Sequence, residues 1–157
     1  MKTNSTVKEQ ALHPATSGLP GKPATIPAAD AQLEERILTA ISAAGEKKAI
    51  DVVVLDLREI ASFTDHFVIT SGNNERQVQA IADEVVETLK KAGSPVYRVE
   101  GYKTAEWILL DYGDFVVHIF DEKARKFYDL ERLWREARRV ELPSELSEEN
   151  SSLRSES

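Results

Sequence analysis

The stretch E-W-I-L-L-D-Y-G-D-F-V-V-H-I-F, Glu106 to Phe120, constrains the fold more than any other part of the chain. Two apolar runs flank D-Y-G-D, so their length and turn chemistry predict a β-hairpin with strands over residues 106–111 and 115–120. Side chains alternate along a strand, which puts Trp107, Leu109 and Asp111 on one face and Ile108, Leu110 and Tyr112 on the other. On the return strand Phe115, Val117 and Ile119 oppose Val116, His118 and Phe120. The pattern predicts one face in a core and the other exposed or partly covered, with a tryptophan on it.

All eleven aromatic residues lie between Phe63 and Trp134. A core cannot be spread evenly when its largest apolar side chains are confined this way. Residues 1–29, with prolines at 14, 20, 23 and 27, and the acidic residues 141–157 are therefore expected to be disordered tails around one domain over 30–140. A middle of this size buries over about 60% of its unfolded surface without a disulfide. There are no cysteines, so disulfide scaffolds, zinc ribbons and thiol nucleophiles are excluded, in keeping with a reducing compartment. No apolar run approaches the roughly 20 residues of a membrane helix, and the first residues lack the apolar stretch of a secretory signal. A cytoplasmic location without membrane contact is expected.

Net charge is −7. The first 30 residues carry three lysines against Glu9 and Asp30, and residues 141–157 carry five glutamates against Arg154. The middle holds 16 basic and 20 acidic residues, which disfavours sequence-specific or broad nucleic-acid binding through a basic stripe.

Along the chain, Asp30 is placed to cap a first helix with Leu33, Ile37, Ile41 and Ala44 on one face and Gly45 as its stop. The β-branched run over 51–57 predicts a strand, and F-V-I-T over 67–70 a second. Asn74 with Gln77 three residues on makes a capping-box pattern for a helix carrying Val78, Ile81, Ala82, Val85 and Leu89, closed by Lys90, Lys91 and Gly93. A strand over 96–99 precedes the hairpin, and a last helix begins at Asp129 with Leu130, Leu133, Trp134 and Ala137 facing inward. The order α-β-β-α-β-β-β-α defines an α+β or mixed α/β fold, a mixed sheet with packed helices.

Catalytic chemistry finds little support in these residues. T-S-G-N-N-E-R-Q places Gly72 before a helix N-terminus, a potential anion cradle, but it lacks a second glycine at phosphate-loop spacing and G-K-[ST]; an ordinary turn capped by Asn74 is the better reading. Asp111 and Asp114 are separated by Tyr112 and Gly113, so no D-x-D converges on a metal pair, and a turn aspartate most often bonds its own backbone. His13, His66 and His118 are scattered and have no nucleophile placed beside them. Trp107 fits core packing and an interface anchor about equally.

Three motifs, F-V-I-T-S-G-N-N-E-R-Q-V-Q-A-I-A-D-E-V, V-E-G-Y-K-T-A-E-W-I-L-L-D-Y-G-D-F-V-V-H-I-F and R-K-F-Y-D-L-E-R-L-W, resemble the ribosomal silencing factor, or Iojap, family over about residues 33–137. The resemblance implies a non-enzymatic translational repressor without metal, cofactor or catalytic residues. It would bind the large ribosomal subunit through ribosomal protein L-fourteen and block small-subunit association, mainly under nutrient shortage. It also implies a nucleotidyltransferase-like fold that lacks the catalytic carboxylates. The partner surface so implied is Trp107, Ile108, Leu109, Asp111, Tyr112, Gly113 and Asp114, bordered by Tyr102 and Lys103. Arg76, Tyr128 and Leu130 would support it. Where many members have S-D-Y-F, this chain has T-D-H-F, in an expected loop.

A nucleotidyltransferase-like enzyme acting on RNA or nucleotide is the alternative, resting on fold similarity, Gly72 and the nearby acids. An exposed apolar hairpin face would also serve a homodimer.

Overall fold

The computed structural model describes residues 6–14 and 29–142, the side chains of 29–34 excepted. Its elements are α1 (Val7–Leu12), α2 (Ala29–Glu46), β1 (Ile50–Asp56), β2 (His66–Gly72), α3 (Glu75–Lys91), β3 (Arg98–Glu100), β4 (Trp107–Asp111), β5 (Phe115–Asp121), α4 (Glu122–Tyr128), α5 (Leu130–Leu133) and β6 (Arg138–Arg139). The strands form one mixed sheet in the order β3-β4-β5-β2-β1-β6. Only β2 and β5 are parallel, and the remaining pairs are antiparallel.

The predicted hairpin is present as β4–β5, but its two-faced character differs from expectation. Ile108, Leu110, Tyr112, Phe115, Val117 and Ile119 pack with α2 and α3 in one core. Trp107, Leu109, Val116 and Phe120 pack on the opposite side with Ala11, Ala124, Leu130 and Trp134. Both faces are therefore covered, and the fold has three layers, helix–sheet–helix. Alternation cannot reveal this, because a strand buried on both sides reads as one apolar run.

α3 forms where its apolar spacing predicts. Val78, Ile81, Ala82, Val85 and Leu89 are all buried, and the Asn74 side chain accepts the Gln77 N–H at 2.8 Å. Gln77 does not complete a capping box with Asn74. Its carbonyl accepts the Asn73 N–H at 2.6 Å, and its amide donates to the Lys47 and Lys48 carbonyls, tying α3 to the end of α2.

Other boundaries moved. α2 runs through Gly45 to Glu46, and Asp30, expected as its cap, falls inside its first turn. The third strand is shorter and later than predicted. Asp129 does not cap with its side chain; it sits at φ 50°, ψ 56° between α4 and α5, and Asp121 caps α4 by accepting the Ala124 N–H at 2.7 Å. Within the N-terminal segment expected to be disordered, Thr6 and Glu9 form a reciprocal capping box and α1 docks on the sheet. The expected acidic tail from 143 onward lies outside the described residues.

Asp56 closes the other edge. It accepts from Arg58 at 2.8 Å and from Arg138 on β6 at 3.2 Å. Although burial opposes ionisation, these bonds hold its carboxyl well below the usual carboxylate range. That stabilisation is present above about pH 4 and fades as pH falls below it.

Truncating Ile81, fully buried between α3 and the sheet, should lower unfolding free energy by about 2–5 kcal/mol, and Asn74→Ala by about 1 kcal/mol. Urea denaturation of both variants measures this. An Asn74→Ala loss as large as that of Ile81→Ala would mean the cap does more than start a helix.

Candidate functional site

The candidate partner surface follows β3 and β4 at the open edge of the sheet. Arg98 pairs with Asp111 and Glu100 with Leu109, so these residues share the face that carries Trp107. The two strands are joined by residues 101–106, in which the Ala105 N–H donates to the Gly101 carbonyl at 3.0 Å.

At the hairpin tip, Asp111 accepts the Gly113 N–H at 2.8 Å, the local turn bond that its position predicts. Gly113 has φ +88°, and a Cβ there would strike the Tyr97 ring, so a tight turn requires glycine. Asp114 accepts from Arg36 of α2 at 2.8 Å, while its other carboxylate oxygen has no hydrogen-bond partner. Tyr112 stacks on Phe115 with centroids 4.9 Å apart, and burial pushes its hydroxyl up to about 12.

The structure thus divides the expected site. Asp111, Gly113 and Asp114 are partly open, and Tyr102 and Lys103 are exposed. Trp107, Ile108, Leu109 and Tyr112, which the resemblance puts on the partner surface, are buried. Periodicity overlooked Tyr97 and Val99, which are 76% and 41% exposed. The sequence predicts a strand over 96–99, but its edge position, which exposes them, depends on pairings distant in sequence. Tyr102 donates to Asp83 of α3 at 3.0 Å, which fixes the turn against the helix layer.

Trp107 lies at the other end of this strip. Its indole N–H donates to His118 Nδ1 at 3.1 Å, so the imidazole is neutral with its proton on Nε2, which has no hydrogen-bond partner. Burial, with a smaller contribution from Lys8, pushes the His118 pKa down to about 3. Phe120 stacks on Trp107 at 5.0 Å, and Tyr128 tilts against it at 4.7 Å. The Lys8 ammonium lies 4.6 Å from the Trp107 ring centroid and donates to the Trp107 carbonyl at 2.8 Å.

His66, expected in a loop, is the first residue of β2 and is buried. Arg76 is exposed, Tyr128 is partly buried and Leu130 is in the core. A separate open cleft of about 570 Å³ lies at the far end of β2 and β5, lined by Asp51, Ser71, Arg125, Lys126, Asp129 and Glu131 among others. Its central Arg125 donates to Ser71 at 3.2 Å and to Glu131 at 3.0 Å, so its charge is already matched. Among the described residues, no three His, Asp or Glu side chains converge on a metal-sized site.

The edge thus combines partly open acids, exposed tyrosines and a buried tryptophan bonded to a neutral histidine. A family model described as "Ribosomal silencing factor during starvation" matches residues 30–157. The chain is 43% identical over 114 residues to a ribosomal silencing factor of Halalkalibacterium halodurans, covering 73% of this chain and 97% of that one. It is 35% identical over 128 residues to the chloroplastic protein Iojap of Zea mays, covering 82% of this chain and 56% of that one. A crystal structure of a Chromobacterium violaceum protein superposes with a TM-score of 0.64 at 34% identity, covering 70% of this chain and 88% of that one. The chain belongs to the ribosomal silencing factor family, whose role is regulation of translation at the ribosome.

The buried imidazole gives a pH signature. Between about pH 6.5 and 3 the unfolded chain holds a proton at His118 that the native protein lacks, so stability falls as pH falls, by up to about 1.4 kcal/mol per unit. Wild type should lose roughly 2 kcal/mol more than His118→Gln between pH 7 and pH 5, since glutamine still accepts from Trp107 without titrating. Urea melts at the two pH values decide it: parallel losses would show that His118 does not titrate on unfolding.

Proposed function

We propose that this protein represses translation by binding the large ribosomal subunit through ribosomal protein L-fourteen and sterically blocking association with the small subunit, chiefly under nutrient limitation. The observation that carries the reading is the open β3–β4 edge of a silencing-family domain. Tyr97 is exposed over the Gly113 tip, Val99 on the Leu110 face, and Tyr102, Lys103 and Glu106 in the turn, while the partly open Asp111 lies on the Trp107 face.

Aromatic and aliphatic groups supply buried area when a partner docks, and the acids select basic groups across the interface. Asp111, Gly113 and Asp114 form the tip of this surface, and Tyr102 and Lys103 its rim. Trp107 belongs to the same strip on its inner side, reached past α1. Ile108, Leu109 and Tyr112 support it from below. The mechanism needs no turnover: a module docked on the joining face occupies volume the other subunit requires.

Asp111→Lys should weaken co-sedimentation with purified large subunits by at least about tenfold and restore subunit joining, because a lysine would meet like charge. A thermal melt controls for loss of the Asp111–Gly113 turn bond, which should change stability by only about 1 kcal/mol. Wild-type binding by a folded Asp111→Lys would remove this strip from the interface. Absence of binding by wild type would remove the ribosomal reading itself.

A further inference from the structure

α1 lies outside the matched family region, which begins at residue 30. The H. halodurans relative aligns over 97% of its own length and has little left to form such a helix. Yet α1 occupies one end of the strip assigned above to a partner. Ala11 is 0% exposed, and its carbonyl accepts the Trp134 indole N–H at 2.6 Å. Val7 and Leu12 pack against the same cluster as Trp107 and Leu109.

Lys8 makes the most telling contact. Its ammonium sits over the Trp107 face, bonded to the Trp107 carbonyl, in the field of Glu100 and Glu106. The room comes from Gly101, at φ +80°: a Cβ there would collide with the Trp107 carbonyl and lie 2.7 Å from Lys8 Nζ. An aromatic face, a backbone carbonyl and two nearby carboxylates form a receptor for a cationic side chain, and a basic protein would present such a group.

We infer that α1 is a cis-acting strap that fills this lysine receptor on the Trp107 strip and competes there with the basic ribosomal partner. The inference rests on the reading of that strip as the ribosome-binding surface. The strap is suited to displacement. It is one six-residue helix, too short to persist by itself in water. Docking also strips water from the Lys8 ammonium, which lowers its pKa despite the two glutamates. Part of the attraction is thereby cancelled, leaving an equilibrium that a partner can shift. Because α1 is tethered to the domain it covers, its grip depends on effective concentration, and a partner bound at several further points can exceed it.

The test uses the full-length chain. Ala11→Gln inserts a larger, uncharged side chain at a fully buried position and leaves every proposed interface residue intact. Release is read from the emission of Trp107 and Trp134, both buried against α1, and from faster amide exchange over Val7–Leu12. Affinity for purified large subunits is measured in parallel. With the strap released, affinity should rise about tenfold if α1 covers the site roughly nine-tenths of the time. Thr6→Ala/Glu9→Ala, which removes both exposed capping bonds and touches no core residue, should act in the same direction and guards against misfolding of the first variant.

If wild type binds and the released variants bind equally or more weakly, the strap inference is overturned while the ribosomal reading stands. If α1 stays docked in both variants, it is a fixed part of the fold and the inference likewise falls. If neither wild type nor released variants bind large subunits, the ribosomal reading fails and the competition fails with it.

Discussion

The parallel pairing of β2 with β5 is the constraint on which the other features rest. It aligns seven residue pairs, from His66 with Phe115 to Gly72 with Asp121, and places the hairpin's return strand at the centre of the sheet. A parallel pair needs a long crossover, here supplied by α3 and the β3–β4 hairpin, so the helix layer is fixed by the same pairing. Once β5 is central, its two faces must both be covered. α2 and α3 cover one, and α1, α4, α5 and Trp134 cover the other. Even the hairpin tip is held through this pairing: the Asp65 N–H just before β2 donates to the Asp114 carbonyl at 3.0 Å, and Thr64 donates to the Gly113 carbonyl at 2.9 Å.

The same constraint explains what the sequence disclosed. Local signals were legible: the D-Y-G-D turn, the Asn74 cap and the five-residue apolar stripe of α3 each depend on residues within one or two turns of one another. Family membership was legible because its motifs are contiguous. Burial of Trp107 was not, because it depends on His118 from the partner strand, Tyr128 at the end of α4 and Lys8 from a segment about a hundred positions away. α4 was also missed. E-K-A-R-K-F-Y has no apolar stripe of its own beyond Ala124 and Tyr128, and it is helical because Asp121 caps it where β5 ends. At the N-terminus, T-V-K-E is a capping box beside a proline-rich composition, and its helix is stabilised by packing rather than by length.

For the candidate site, the consequence is a division of labour. Residues that a pattern would choose for contact, Ile108, Leu109 and Tyr112, set the position and stiffness of the edge. On the proposed reading the contact falls to shorter segments at its margins: the 101–106 turn, Gly113 and Asp114 at the tip, and the exposed flank of β3. A rigid sheet presenting acids on turns suits recognition better than a mobile loop, because fewer conformations are lost on docking.

Charge organisation around Trp107 follows one rule, that its indole N–H requires an acceptor and its ring face attracts a cation. The acceptor is His118 Nδ1, which serves only while the imidazole is neutral. The cation is Lys8, whose field disfavours a second positive charge at the ring's edge. Protonating His118 would remove the acceptor and set an imidazolium near the lysine at once, so a cation over the face of Trp107 and a neutral histidine at its N–H edge belong together. Any basic group that replaces Lys8 meets the same arrangement. The receptor is therefore a property of the domain, with its polarity fixed from within, and α1 is the occupant that this chain carries for itself.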